Sequence, residues 1–336
     1  MAALTLAQRR RIARTGIEVP IMGLGGAALG GLYKAVDDEI AAETIAGGLE
    51  AGLRYVDTAP FYGYGLSEHR FGEALRRFGR DRVVLSTKAG RRLARRTEPQ
   101  APEDYWKAPL PFQPVVDYSH DGVMRSVEDS LQRLGTDRID ILYLHDVGRT
   151  SYGDDHPRLM AEAMSGGARA MRRLKEEGVV GAIGLGVNEW EVCAEALEHQ
   201  DWDVFLLAGR YTLLEQTVLD GFFPLCERRG VSIVIGGPYS SGILAGGDTF
   251  NYDSAPDDVR DRAARLGEAC RDHGVPLPAA ALQFVLKHPV VASVIPGARS
   301  RAEMEQNIEH LTRPIPGDLW IDLKRRGLLH PDAPIG

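Results

Sequence analysis

Along this chain, short apolar runs alternate with stretches in which apolar residues recur every three or four positions. Runs at 21–24, 55–57, 83–87, 139–144, 179–185, 204–207, 232–235 and 291–295 read as strands. Between and after them, helical periodicity covers 38–51, 67–78, 122–134, 168–177, 189–198, 219–229, 256–273 with 278–287, and 301–311. Gly52, Gly135, Gly178, Gly230 and Gly274 stand just past helical patterns, where a left-handed cap favours glycine. A helix after each strand is the connectivity of a parallel sheet, and eight such units closing on themselves predict a (β/α)8 TIM barrel.

Two segments interrupt the repeat. Residues 89–117 hold the basic stretch Arg91-Arg92-Leu93-Ala94-Arg95-Arg96 and then a run rich in proline and aromatics. Residues 147–167 follow the fourth strand. Both are expected as long loops on the carboxyl face, where barrel loops build substrate pockets. Residues 11–20 read as an N-terminal hairpin turning at Thr15-Gly16. No low-complexity linker divides the chain, so residues 1–336 are expected to form a single barrel domain.

Composition narrows the partners. With 44% hydrophobic and 26% charged residues the chain is an ordinary globular protein. Its formal charge of −7 argues against nucleic acid and anionic membrane. Arg9-Arg10-Arg11 near the start has no apolar stretch behind it, so neither a signal peptide nor an anchor is expected, and the cytoplasm is the expected compartment. Cys193, Cys226 and Cys270 are far apart and lack metal-type spacing. A small-molecule substrate and a monomer or weak homo-oligomer are the remaining expectations.

The chemistry stands at strand ends. Asp57 closes the second strand, Tyr62 lies five residues on, Lys88 closes the third and His145 the fourth. Buried Asp and Lys are costly unless paired, so their convergence on one carboxyl face suggests a proton-transfer site. Lys88 can favour the phenolate of Tyr62, Asp57 can hold Lys88 charged, Tyr62 can exchange the proton, and His145 can orient a substrate oxygen. Other readings stay open at this point. Lys88 could form a Schiff base, Tyr62 to Gly65 could be a loop with aromatic packing, and His145 could be a satisfied core histidine.

The segments Asp57-Thr58-Ala59-Pro60-Phe61-Tyr62-Gly63, Ser86-Thr87-Lys88, Leu144-His145-Asp146, Ile183-Gly184-Leu185-Gly186-Val187-Asn188 and Val294-Ile295-Pro296-Gly297-Ala298 resemble the successive signatures of the aldo-keto reductase superfamily. The resemblance implies a barrel that binds a nicotinamide cofactor, NAD or alternatively NADP, in extended form across its carboxyl face, and no metal. It assigns Tyr62 as general acid/base, Lys88 as its partner, Asp57 as counter-ion and His145 as substrate orienter. Asn188 matches the asparagine that holds the nicotinamide carboxamide. The serine usual before it is Val187, the usual glutamine is Ala208, and the usual stacking ring is Gly236, with Tyr239 a candidate replacement. Gly25 in the first loop, and Gly297, Arg299, Glu303 and Asn307 in the last cofactor segment, complete the expected contacts.

Glu303 stands where many NADP-using relatives carry arginine, which implies a preference for NAD, with Arg299 and Arg301 as the opposing consideration. Further stretches, among them Tyr62-Gly63-Tyr64-Gly65-Leu66-Ser67-Glu68 and Ser240-Ser241-Gly242-Ile243-Leu244, resemble the branch that oxidises cyclic hemiacetals to lactones. The expected substrate is an aldose of L-fucose or D-threo-aldose type. Pyridoxal, oxidised to its lactone, is the alternative, and reduction of assorted aldehydes and ketones another. Tyr33, Trp106 and Tyr152 are the candidate pocket walls. A non-enzymatic cofactor-binding subunit of the same fold is disfavoured by the intact tetrad.

Overall fold

In a computed structural model that describes residues 4–97 and 105–336, eight parallel strands form one sheet in chain order. The barrel strands are β1 (Leu24–Gly25), β2 (Tyr55–Asp57), β3 (Val84–Ala89), β4 (Ile139–His145), β5 (Val180–Val187), β6 (Val204–Ala208), β7 (Ser232–Gly236) and β8 (Val291–Ile295). Parallel bridges Met22 to Val294 and Gly25 to Gly297, with backbone bonds from Gly23 N to Val294 O and Gly25 N to Pro296 O, close β1 onto β8. The (β/α)8 barrel predicted from the alternation is therefore present.

Strand boundaries shift where geometry overrides hydropathy. The first strand is two residues at 24–25 rather than 21–24, because residues 21–23 pair with β8 only through isolated contacts. β3 runs on through Lys88 to Ala89, which puts the lysine inside the strand rather than past it. Helix 38–51 falls where its period puts it, with Gly52 at φ 110° bonding back to Gly48.

Both interrupting segments carry structure that the pattern did not suggest. Arg91–Arg95 pairs antiparallel with Phe112–Val116, so part of the expected loop is a hairpin; its residues 98–104 lie outside the described residues. The segment after β4 is mostly helical, with helices at Arg149–Tyr152 and His156–Glu162 leading through a widened turn into Ala168–Glu176. Gly148, Gly153 and Pro157 suggest a loop, but Pro157 sits in the first turn of its helix, where its missing N–H costs nothing. A last helix, Gly317–Arg325, was not expected; it buries Leu319, Trp320 and Leu323.

The N-terminal hairpin, Arg9–Arg11 against Glu18–Pro20, plugs the amino end of the barrel. Ile12 and Val19, both fully buried, join Ile141, Ala182, Val204, Leu206 and Val234 in an interior cluster. Arg10 spans the seam, donating to the carbonyls of Leu286 at 2.7 Å, His288 at 3.3 Å and Val291. All three cysteines are buried and free.

Candidate active site

The polar residues expected at the carboxyl face meet inside the barrel mouth. Lys88, only 1% exposed, donates from Nζ to Asp57 Oδ2 at 2.7 Å and to the Thr58 carbonyl at 2.9 Å. Ser86 donates to Asp57 Oδ1 at 2.6 Å and lies 3.2 Å from the Tyr55 hydroxyl, itself 3.2 Å from that of Tyr143. Each carboxylate oxygen thus has a donor. Burial pushes the Asp57 carboxyl up from its usual range, and the Lys88 ammonium pulls it back.

Tyr62 is placed by backbone. Gly63, Tyr64 and Gly65 all have positive φ, and a Cβ on Gly63 would lie 2.3 Å from the Gly30 carbonyl oxygen. Conversely, a Cβ on Gly30 would lie 2.7 Å from the carbonyl carbon of Tyr62. Two glycines in contact therefore fix where the tyrosine starts. The Tyr-Gly-Tyr-Gly stretch divides its work: Tyr64 is fully buried as packing, while Tyr62 lines the cleft.

Around the Tyr62 ring, Lys88 Nζ is 4.6 Å from the ring centre, His145 crosses edge-on at 5.8 Å and Trp106 lies at 5.5 Å. Burial, then the Asp57 and Asp146 carboxylates, push the Tyr62 phenol well above its ordinary value. The expectation was a lowered phenol; the net shift is upward, and the neighbouring cation that opposes it is Arg91. Neither recorded hydrogen bond of Lys88 goes to Tyr62; its charge is committed to Asp57.

His145 is not a satisfied core histidine. Its Nδ1 is buried without a partner among the described residues, and Nε2 stands 3.6 Å from Asp146 Oδ2, too far for a hydrogen bond. Burial, then the cations Arg91 and Lys88, hold the imidazole well below its usual pKa, so it is neutral at pH 7.

Two site residues lay outside the expected set. Asp146, in a left-handed conformation directly after His145, pairs with Arg91 Nη2 at 3.2 Å and accepts from Asn188 Nδ2 at 3.1 Å. Arg91 stacks over Phe61, its Cζ 4.4 Å from the ring centre. The available signal was its place three residues past Lys88, masked by the surrounding run of arginines.

These residues line a cleft of about 970 Å³ whose walls include Phe61, Trp106, Tyr105, Trp190 and Tyr252. Of the expected walls, Trp106 belongs to it. Tyr152 and Tyr33 do not: Tyr152 accepts from Arg91 Nε at 3.2 Å, and Tyr33 packs on Tyr105.

The expected cofactor residues form a second group toward β8. Asn307 on helix Arg301–Thr312 donates to the Gly297 carbonyl at 3.2 Å and accepts from the Tyr239 hydroxyl at 2.7 Å. Tyr239 therefore ties the β7 loop to this helix and is absent from the cleft lining. Glu303 is not a bare charge: it accepts from the Arg299 backbone N–H at 2.9 Å and pairs with its guanidinium at 3.1 Å. Arg301 pairs with Glu305 at 2.8 Å.

The residues fit an extended nicotinamide dinucleotide. Asn188 spends one amide hydrogen on Asp146 and one lone pair on the Tyr252 hydroxyl at 3.0 Å, which leaves one of each for a carboxamide. From there, the small residues Gly186, Ala208, Gly236 and Gly297 follow the strand ends toward the helix, where a Cβ on Gly297 would crowd Ala28 at 3.3 Å. The helix N-terminus, capped by Ser300 on the Glu303 N–H, favours phosphate. Among the described residues there is no cluster of three or more metal-ligating side chains, and no helix is long and apolar enough to cross a membrane.

A barrel with this tetrad at its mouth defines a class of oxidoreductase, and the chain belongs to the aldo/keto reductase family, whose model matches residues 21–324. It is 44% identical to pyridoxal 4-dehydrogenase of Microbacterium luteolum, over 97% of this chain and 99% of that protein. It is 38% identical to D-threo-aldose 1-dehydrogenase of a Pseudomonas species, over 94% of this chain and 97% of that protein. The holo form of the aldo-keto reductase AKR11C1 from Bacillus halodurans superposes with a TM-score of 0.73 at 27% identity, covering 96% of both chains. Family members use nicotinamide cofactors and act on small molecules.

Proposed function

We propose that this enzyme oxidises the cyclic hemiacetal of a hydroxylated ring compound to a lactone. The observation that carries the reading is the cleft itself: Tyr62, His145 and Lys88, the last paired with Asp57 behind it, line a chamber walled by aromatic rings. Aromatic faces accept the flat faces of sugar and pyridine rings alike. Similarity to pyridoxal 4-dehydrogenase over nearly the full length of both chains favours pyridoxal as substrate. Similarity to D-threo-aldose 1-dehydrogenase supports an aldose as the second reading.

Such an oxidation removes a proton from the hemiacetal hydroxyl and a hydride from its carbon, and the bound nicotinamide dinucleotide supplies the hydride acceptor. Tyr62 takes the proton as a phenolate. The neutral His145 presents Nε2 to the cleft and hydrogen-bonds the reacting oxygen. Lys88, held charged by Asp57, stabilises negative charge as it forms on the phenol. NAD is the expected cofactor, because Glu303 stands at the position where many NADP-using relatives carry arginine and Arg299 is already engaged by it.

The test is a screen of pyridoxal, L-fucose and other aldoses with NAD+ and NADP+, read by absorbance of the reduced nicotinamide. Lactone formation from pyridoxal or an aldose is the expected result. Reduction of simple aldehydes without any hemiacetal oxidation would overturn the reading.

A further inference from the structure

Beside the tetrad lies a cation that makes no hydrogen bond to any of its four side chains among the described residues. The Arg91 side chain is 12% exposed, and its donors are only partly spent. Nε donates to Tyr152, and Nη2 reaches Asp146 at 3.2 Å and Ser151 Oγ at 3.4 Å. Nη1 has no partner among the described residues, and the residue lines the cleft. The guanidinium cannot rotate away: Phe61 lies under its plane, and Tyr152 and Asp146 hold its other nitrogens.

Phe61 also sets the scale of the site. Its ring centre is 6.0 Å from that of His145 and 5.5 Å from that of Trp106. A six-membered ring that bears or contains the reacting carbon, with that carbon at Tyr62 and His145, can therefore bring a neighbouring ring substituent toward Arg91. Because Asp146 cancels its charge, Arg91 attracts an anion weakly at long range. What it offers is a fixed, charge-assisted donor with no acceptor capacity.

We propose that Arg91 is a specificity-determining residue of this cleft, whose Nη1 reads an acceptor-only oxygen on the aromatic ring carbon next to the one that bears the reacting carbon. An ionised phenolic oxygen of a 3-hydroxypyridine has that chemistry. A sugar hydroxyl, which must also place its own proton, matches a donor-only partner less well. The proposal rests on the cleft being the substrate site and selects the 3-hydroxypyridine class within it. Tyr152 and Asp146 act here through Arg91, as positioning residues.

The experiment measures binding rather than turnover, by quenching of the tryptophan fluorescence of the full-length protein. The probes are pyridoxine and its 3-deoxy analogue, neither of which carries an aldehyde. Wild type is expected to bind pyridoxine at least about tenfold more tightly, the span of one charge-assisted hydrogen bond. In Arg91→Gln the preference should fall to about twofold or less. Arg91→Lys, which can keep the contact with Asp146, serves if the first variant does not fold, and should lose most of the preference by about threefold or more.

Equal affinities in wild type, or a preference retained in a folded Arg91 variant, would overturn the assignment. Turnover of pyridoxal and L-fucose is read separately with wild type. A failed binding result alongside lactone formation removes Arg91's role alone, while absence of lactone formation removes the reading of the reaction.

Discussion

At the amino end of the barrel, Ile12 and Val19 fill the interior and Arg10 satisfies backbone carbonyls, while at the carboxyl end two charged pairs and a neutral histidine are buried around a cleft. The backbone follows the same division. Among described non-glycine residues with positive φ, Ala13 alone lies at the amino end. Tyr33, Tyr64, Ala108, Asp146, Ser240, Ser241, Asn251 and Tyr252 lie in carboxyl-face loops. Each such residue costs about 1–2 kcal/mol relative to ordinary backbone. One end of the molecule accumulates stability and the other holds groups where chemistry needs them, against local preference.

The sharpest break of this contrast is Tyr62→Phe. It should lower kcat for hemiacetal oxidation by about a hundredfold or more while leaving the melting temperature and cofactor affinity nearly unchanged. A variant retaining above about a tenth of wild-type turnover would remove Tyr62 from proton transfer.

The mirror experiment is Ile12→Ala. Deleting this fully buried side chain should cost about 3 kcal/mol of stability by denaturant unfolding, with kcat at 25 °C unchanged. An effect on kcat without loss of stability would show that the two ends are coupled.

Next in size is the pH response. Because burial raises the Tyr62 phenol, its phenolate fraction grows as pH increases, so kcat for oxidation should climb through the alkaline range and kcat for the reverse reduction should fall. Lys88→Met should cut oxidation about tenfold or more and move its rise to still higher pH. A pH profile that the variant leaves in place would detach Lys88 from Tyr62.

The smallest effect is expected from Glu303→Arg. Since Arg299 already pairs with Glu303, the shift in relative kcat/KM toward NADP+ should be no more than about tenfold, smaller than a bare carboxylate would produce. No shift at all would place Glu303 away from the ribose.

The barrel was legible because each strand is an apolar run and each helix keeps its period, and the tetrad because Asp57, Lys88 and His145 are ionisable residues where apolar ones belong. What escaped reading was set by contacts between distant segments. Residues 91–95 are half-buried up to the exposed Arg95, whereas their run of arginines reads as a solvated loop. Arg91 became a site residue only through Asp146, 55 positions away. The bond between Tyr239 and Asn307, 68 positions apart, joins two expected cofactor residues in a way no local pattern announces. The direction of the Tyr62 shift was misjudged for a similar reason: the sequence puts a lysine nearby, but burial outweighs it and Asp57 claims its charge.

The contact between Gly30 and Gly63 bears on how such an enzyme can be remodelled. The loops after β1 and β2 press together through main chain, with no side chain between them to be traded for another. Grafts from a relative must therefore carry both loops as one cassette. Exchanging the second alone would bring foreign atoms against Gly30 and shift the tyrosine, and the hairpin bearing Arg91 travels with them, because Lys107 N–H bonds to the Gly31 carbonyl and Leu110 N–H to that of Gly63.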